Sequence, residues 1–365
     1  MPGDRMSGDR GPGRPDAPLV SFQLLAYNQE RYVRDAVRGA LSQAYEPMEV
    51  ILSDDASTDG TFEIMKEEAD RYSGPHSVVL RRNPGNLGLA EHLNAVMAIS
   101  RGRIIVVAAG DDVSLPERTP ACVARLVERP GLVAVCCRTR TIDSEGAVRP
   151  EWGDLTRDHW EEPLPTRDGR IARYIECWRP MLLGCANAFR RDVVDRFGPF
   201  HADVVNEDVV FSFRAHLLGE IGIVETVGVH YRKHAESMSN NERVRMGAMD
   251  RAVARERSRT VTLRRRAGIW RMMASDLEGA AGDGRNGLRV EEHVRRIREQ
   301  ERLSALLARQ PERSLLGRIG DLYAIARSRA PWGALRGSSF RVLPRPVVLG
   351  INALRTWVGA EVGRP

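Results

Sequence analysis

An α/β fold is predicted for this 365-residue chain: a mostly parallel sheet flanked by helices, followed by a C-terminal helical region. Three observations carry the prediction. Short apolar runs alternate with amphipathic helical stretches as far as Cys137, the pattern of a parallel sheet with right-handed crossovers. Polar, acid-rich clusters follow the first, second and fourth of those runs, and in such sheets ligands bind beyond the carboxyl ends of the strands. After Asn240 the strand-like runs stop and helical periodicity takes over.

In chain order, Met1 to Ala17 is rich in Gly, Pro, Asp and Arg. It lacks the apolar core of a signal peptide and reads as a disordered tail, 1–17. Leu19 to Ala26 is a short apolar run, read as a buried strand ending at Tyr27-Asn28. Val33, Ala36, Val37, Ala40 and Leu41 then form one helical stripe. Met48 to Leu52 is a second strand, leading into Ser53-Asp54-Asp55-Ala56-Ser57-Thr58-Asp59-Gly60-Thr61 and a helix carrying Phe62, Met65, Ala69 and Tyr72. Ser77 to Leu80 is a third strand. The turn-rich Asn83 to Gly88 follows, then a helix to about Ser100 that buries Leu93, Val96 and Met97. Arg103 to Ala109 is a fourth, strongly β-branched strand that ends at Gly110-Asp111-Asp112. A helix is expected near Pro116, a residue favoured in the first turn, and Leu132 to Cys137 is a fifth strand. Glu151 to Arg170 is polar and irregular, with Trp152, His159 and Trp160, and reads as a lid or acceptor loop. A block from Gly184 to about Ser239 contains Asn206-Glu207-Asp208 and two short strands, Ile221 to Val224 and Val227 to Tyr231. The domain therefore spans 18–240. The basic remainder, 241–365, reads as a separate helical region with apolar positions at Leu315, Ile319, Leu322, Tyr323 and Ala326, and at Val347, Ile351, Leu354 and Val358.

Composition narrows the function classes. The apolar fraction of 42% supports a sizeable core. With no run of about 18 uncharged apolar residues and no leader, a cytoplasmic protein is expected. Five cysteines, odd in number and without paired CxxC spacing, read as reduced buried thiols. The net charge of +6 is concentrated in the C-terminal third. Few aromatics interleave with those arginines and no nucleic-acid motif occurs, so nucleic acid is not an expected partner. Either a covering or homodimer surface in 241–365, or peripheral contact with an anionic membrane at its inner face, is expected instead.

The acid clusters suggest a chemistry. Asp59 or Thr58 suits the N-cap of the following helix. A turn needs only one of Asp54 and Asp55, which leaves at least one carboxylate for nucleobase N–H groups or ribose hydroxyls. Asp111-Asp112 follows a strand too apolar for a surface loop. Adjacent acids there call for a positive partner, and Mg2+ or Mn2+ prefers carboxylate and phosphate oxygens. Glu207-Asp208 opens a helix, where acids are favoured by the dipole, and one of the two suits a general base for an acceptor hydroxyl. His234 is a candidate metal or phosphate ligand, and Arg232 or Lys233 a partner for diphosphate.

Together these clusters resemble the inverting glycosyltransferases of family 2, with their Rossmann-like GT-A fold. The first strand ending in Tyr27-Asn28, the segment Ser53 to Thr61, Asn83 to Gly88 with Ala90 and Asn94, and Gly110-Asp111-Asp112 are similar to that family's motifs in order. So is the block of Gly184 to Arg190, Gly198 to Phe200 and Glu207-Asp208 with Arg214, and the resemblance spans about residues 18–240. It implies transfer of a sugar from a nucleotide-diphosphate donor to the hydroxyl of a glycan or lipid-linked acceptor in a single inverting displacement. Donor contacts are implied for Tyr27, Asn28, Asp54, Asp55 and Asp111, with Asp55 on the nucleobase and Asp111 on the ribose side. Asp112 is implied as metal ligand, shared in an unresolved way with Asp111, and His234 stays a candidate from the residues alone. Asp208 is implied as catalytic base, with Glu207 and Arg190 on the acceptor side. Ala109 stands where that family's motif usually has its first acid. Ala56 stands where it usually has glycine, which asks only for an ordinary backbone there.

Rival readings fit less well. A phosphatase of the haloacid dehalogenase type needs Asp-x-Asp-x-Thr, and the residues after Asp55 are Ala56, Ser57 and Thr58. A sugar nucleotidylyltransferase needs a Gly-rich signature after the first strand, and none occurs. A catalytically degenerate nucleotide-sugar-binding scaffold would have no use for Asp208.

Overall fold

The computed structural model describes residues 17–156, 164–177, 182–202, 204, 206–235, 237, 266–280 and 289–308. Eight strands form one sheet in the order β3-β2-β1-β4-β7-β6-β8-β5. They are β1 (Val20–Ala26), β2 (Met48–Asp54), β3 (Ser77–Arg82), β4 (Ile104–Ala109), β5 (Val113–Ser114), β6 (Leu132–Ile142), β7 (Asn187–Arg190) and β8 (Glu220–Arg232). The β1/β2, β1/β4, β2/β3 and β6/β8 pairs are parallel. Strand β7 runs antiparallel between β4 and β6, and β5 antiparallel to β8.

Strands β1 and β2 are buried along their whole length. A parallel strand covered on both faces reads as a continuous apolar run, which is why those strands are visible in the sequence. The crossovers are α1 (Val33–Leu41), α2 (Thr61–Arg71) and α3 (Leu89–Ile99), and α4 (Arg118–Glu128) follows β5. Each turns its apolar stripe inward: Val33, Ala36, Val37 and Ala40 on α1; Met65 on α2; Leu93, Val96 and Met97 on α3; Cys122, Val123 and Leu126 on α4. Helix α4 begins two residues after Pro116. Its first-turn donors are met from a distance, since Gln43 Oε1 accepts from the Thr119 amide at 3.0 Å and the Thr119 hydroxyl at 2.6 Å.

Three elements differ from expectation. The fifth strand runs on to Ile142, and the two short strands expected within 221–231 are one strand, β8. Irregularities in the β6/β8 pairing near Leu132, Cys137 and Arg138 absorb the break in alternation that the sequence showed as a gap. Strand β7 has four residues, too few for a periodic signal.

Two further helices are α5 (Arg167–Cys177) and α6 (Glu207–Leu218), and the C-terminal helices are α7 (266–280) and α8 (Val290–Ala308). The described C-terminal helices are not set apart. Ile269, Trp270, Met273, Ala274, Leu277 and Ile297 belong to the same apolar cluster as β1, β4 and α6. Arg289 and the buried His293 grip Asp168 of α5, with Arg289 Nη2 and His293 Nε2 at 2.8 and 2.7 Å. Arg271 and Arg298 pair with Glu301, and Arg296 with Glu176. Much of the described basic charge here is therefore matched internally. The expected helical positions from Leu315 to Val358, the tail 1–16, and His159 and Trp160 lie outside the described residues. Among the described residues, no helix is long and apolar enough to cross a membrane.

Candidate active site

The carboxyl edge of β1 and β2 is stitched together by the polar clusters. Asn28 adopts the left-handed conformation (φ 51°), which Asn tolerates better than most residues. From there its amide donates to Ser57 Oγ at 2.9 Å and its Oδ1 accepts from the Thr58 amide at 2.8 Å. Asp54 is fully enclosed. It accepts from the Ser57 amide (2.9 Å) and hydroxyl and pairs with Arg82 Nε at 3.2 Å. Its carboxylate thus forms the turn, contrary to the expected donor contact. Asp55, also buried, accepts from Asn83 Nδ2 (2.6 Å) and from the amides of Leu87 and Gly88 (3.0 Å each), and so shapes the Asn83–Gly88 loop. Tyr27 stands 43% exposed at this edge. Ala56 corrects a further expectation. Its φ is 59°, so this position does demand the left-handed backbone, and Ala occupies it at a steric cost.

Below this edge lies His92 of α3, which the sequence reading missed. Its Nε2 is 2.6 Å from Ser53 Oγ, and burial pushes its imidazole down to about 4.

At the end of β4 the two acids part company. A Cβ on Gly110 would come within 2.4 Å of Gln29 Oε1 and 2.8 Å of the Ala26 Cβ, so only glycine lets the chain pass the end of β1. Asp111 Oδ2 lies 3.1 Å from His234 Nε2 and its side chain is 17% exposed. Asp112 turns inward, where its Oδ1 accepts from the Arg232 amide at 2.8 Å and its carboxylate from the Cys185 thiol. Burial raises its pKa well above the carboxylate range, Asp111 adds to this, and the enclosed Arg118 opposes it. The expected set of Asp111, Asp112 and His234 is therefore not assembled. Asp112 is spent on β8, and among the described residues no group of three or more His, Cys, Asp or Glu side chains is arranged for a metal ion. Asp111 and His234 remain as one oxygen and one nitrogen donor, which suits a cation that completes its shell with phosphate and water.

Arg232 holds this corner. Its buried guanidinium donates from Nε to the Asp111 carbonyl (2.9 Å) and from Nη1 to the Asp143 and Ser144 carbonyls (3.3 Å each), and its Nη2 pairs with Asp35 (3.2 Å). It lies 5.0 Å above the Tyr32 ring, whose centroid is 4.4 Å from that of His234. Arg232 is thus an internal clamp, not the diphosphate partner considered from the sequence. Lys233 Nζ lies 5.6 Å over Trp152.

The second acid pair opens α6. Glu207 Oε1 lies 2.4 Å from where a Cβ on Gly184 would stand, so glycine at 184 makes room for the carboxylate. Burial, reinforced by the charge of Asp208, pushes Glu207 up to about 8. Asp208 is half-buried. The hydroxyl of Tyr174 on α5 donates to the Val209 carbonyl at 2.6 Å, anchoring this first turn. Gly184 touches Glu207 and its neighbour Cys185 touches Asp112, so one short segment joins the two acidic corners.

Residues 21–198 match the description "Glycosyl transferase family 2". The likeness to glycosyl transferase family 2 is carried by that segment. It is 29% identical over 221 residues to an uncharacterised protein of Mycobacterium tuberculosis, spanning 60% of each chain. It is 32% identical over 129 residues to the chondroitin synthase of Escherichia coli, 35% of this chain and 18% of that one. The S. aureus TarS structure of residues 1–349, in complex with UDP-GlcNAc, superposes with a TM-score of 0.53 at 15% identity, covering 92% of this chain and 88% of that one. The shared architecture is the GT-A fold.

Within the matched segment, one expected site residue is absent from the site. Arg190 pairs with Ile104 at the amino end of β4, the opposite edge from Asp111. Its guanidinium donates to the Leu132 and Leu126 carbonyls at 2.9 and 2.7 Å, closing the foot of the sheet. Cys185 and Tyr32 are brought to the site unannounced. Cys185 stands inside the Gly184 to Arg190 block and Tyr32 shortly after Tyr27-Asn28, but neither carries a role in the sequence alone.

Proposed function

We propose that this chain transfers a sugar from a nucleoside-diphosphate sugar to an acceptor hydroxyl with inversion at the anomeric carbon. The observation that carries the reading is that one short segment, Gly184-Cys185, lies against both Glu207, the neighbour of Asp208, and Asp112, the neighbour of Asp111. The family match of residues 21–198 and the fold shared with TarS, solved in complex with UDP-GlcNAc, support it.

In this reading Tyr27, Asn28 and the loop shaped by Asp55 receive the nucleoside, and Asp111 faces the donor's ribose and phosphates. Asp111 and His234 would hold Mn2+ or Mg2+, which when bound offsets charge on the departing diphosphate. Asp208 takes the proton from the acceptor hydroxyl as that oxygen bonds to the anomeric carbon and the bond to the diphosphate oxygen breaks. Burial and the charge of Asp208 push Glu207 upward, which favours its protonated form beside the base. The proposed acceptor is a glycan or lipid-linked hydroxyl in polysaccharide, glycolipid or other glycan synthesis. The name of the chondroitin synthase relative fits that class.

A thermal-shift screen of UDP, GDP, CDP and dTDP with and without Mn2+ is expected to find one base that stabilises the protein, more strongly with metal. Asp208→Asn is expected to keep that shift and lose turnover by roughly 100-fold or more. Full turnover in Asp208→Asn, or no nucleotide response in the wild type, would refute the proposal.

A further inference from the structure

We propose that Asp276, on C-terminal helix α7, is a positioning residue for sugar transfer, holding the helix that begins with Glu207 and Asp208 through a buried ion pair with Arg214. The inference rests on the reaction proposed above and concerns a residue outside the family-matched segment, 21–198.

Arg214 lies on α6, six residues after Asp208, or about 9 Å along the axis. Its side chain is fully enclosed and that of Asp276 is 5% exposed. The contact is a fork, with Nε to Oδ2 at 2.9 Å and Nη2 to Oδ1 at 3.3 Å. A planar two-point contact fixes rotation as well as distance. The same guanidinium donates from Nη1 to the Gly198 carbonyl at 2.8 Å and lies 4.9 Å from the centre of the Phe200 ring. Phe200 is gripped in turn by Asn94 of α3, which accepts from its amide and donates to its carbonyl at 2.8 Å each. Helix α3 starts after Gly88, whose amide donates to Asp55. One buried pair therefore joins the helix carrying the base, the 197–200 turn and the helix that frames the donor loop.

Stability alone does not call for this arrangement. Well-packed apolar residues commonly replace a buried ion pair without loss, whereas a single truncation leaves an uncompensated charge. Shape alone would let α6 turn or slide against α7. The charged fork admits one setting, and a displacement of about 1 Å at a reacting group is enough to lower a rate by the order of 100-fold.

The test uses the full chain and four variants. Asp276→Asn removes the charge and keeps the shape. Asp276→Glu keeps the charge. Arg214→Met with Asp276→Leu replaces the pair by apolar volume. Asp168→Asn loosens the other C-terminal anchor, at Arg289 and His293. Nucleoside-diphosphate release from a panel of UDP- and GDP-sugars yields kcat and the donor KM, and hydrogen exchange follows the amides of 206–210. Asp276→Asn is expected to lose kcat by the order of 100-fold with the donor KM little changed, and to exchange faster at 206–210. Asp276→Glu is expected to regain part of kcat, and the apolar double variant to stay stable and slow. Asp168→Asn is expected to melt earlier with kcat intact. Wild-type kcat or unchanged exchange in Asp276→Asn would overturn the inference, as would full kcat in the apolar double variant. A wild type that releases nothing from any donor would overturn the transfer reading alone, because the exchange measurement still tests the brace.

Discussion

Replacing Arg232 by Met keeps most of the side-chain volume and removes the guanidinium that joins three segments. The bond to the Asp111 carbonyl, at 2.9 Å and charge-assisted, contributes about 1.5–3 kcal/mol. The pair with Asp35, which is more than half exposed, adds at most about 1 kcal/mol, and the contact with Tyr32 about 0.5–1 kcal/mol. The two 3.3 Å contacts to Asp143 and Ser144 are long and weak. Relief of the buried charge acts in the opposite direction. The net loss is expected to be about 2–4 kcal/mol, a fall in Tm of roughly 5–12 °C. Urea midpoints at constant m, with calorimetry, measure it. The Arg232 amide still reaches Asp112 in the variant, so Asp112 stays in place while Asp111 and the 143–144 turn loosen. The Mn2+-dependent part of nucleotide stabilisation should therefore shrink with stability. Arg232→Lys should recover little, since an ammonium cannot span the three carbonyls and Asp35. A Met variant within about 1 kcal/mol of wild type would refute the description of Arg232 as a clamp.

Three further outcomes are expected. Ala56→Gly should stabilise the protein by up to about 1 kcal/mol, because relief of a left-handed Ala, about 1–2 kcal/mol, exceeds the entropy cost of glycine; a lower urea midpoint would contradict the assigned backbone. Gly110→Ala should cost about 1–3 kcal/mol by overpacking against Gln29 and Ala26 and should weaken nucleotide binding, whereas an unaffected variant would mean that the β4 end is not tightly seated. Buried His92, with its folded pKa lowered from 6.5 to about 4, binds its proton more readily when unfolded. Its contribution is therefore present above pH 6.5 and lost as pH falls toward 4, by about 3 kcal/mol. Urea titrations should show that decline, and His92→Gln should flatten it; an equal slope in the variant would point to other groups.

Much of this architecture is legible in the order of residues. Strands β1 and β4 and helices α1 and α3 follow local rules, because burial on both faces or on one stripe imposes a period that the chain itself displays. The acid clusters stand at strand ends, so their gathering at one edge follows from a parallel sheet. The glycines at 110 and 184 are visible as letters, but the close approaches that require them are visible only in space.

What most of these acids do was decided by contacts distant in sequence. Asp111 and Asp112 are adjacent and chemically alike, yet β8, arriving more than a hundred residues later, brings the Arg232 amide to Asp112 and His234 to Asp111. Asp54 and Asp55 divide as well: Asp54 closes its own turn locally, whereas Asp55 collects donors from the distant Asn83–Gly88 loop. The fold class, the succession of the main strands along the chain and the acid clusters at their ends are legible in the residues alone. Long-range packing settled which carboxylate is enclosed, placed Arg190 at the foot of the sheet and closed helix α7 on the helix of the proposed base. The reason is physical: periodicity is a local property of the chain, whereas burial and charge pairing depend on which distant atoms displace water from a group.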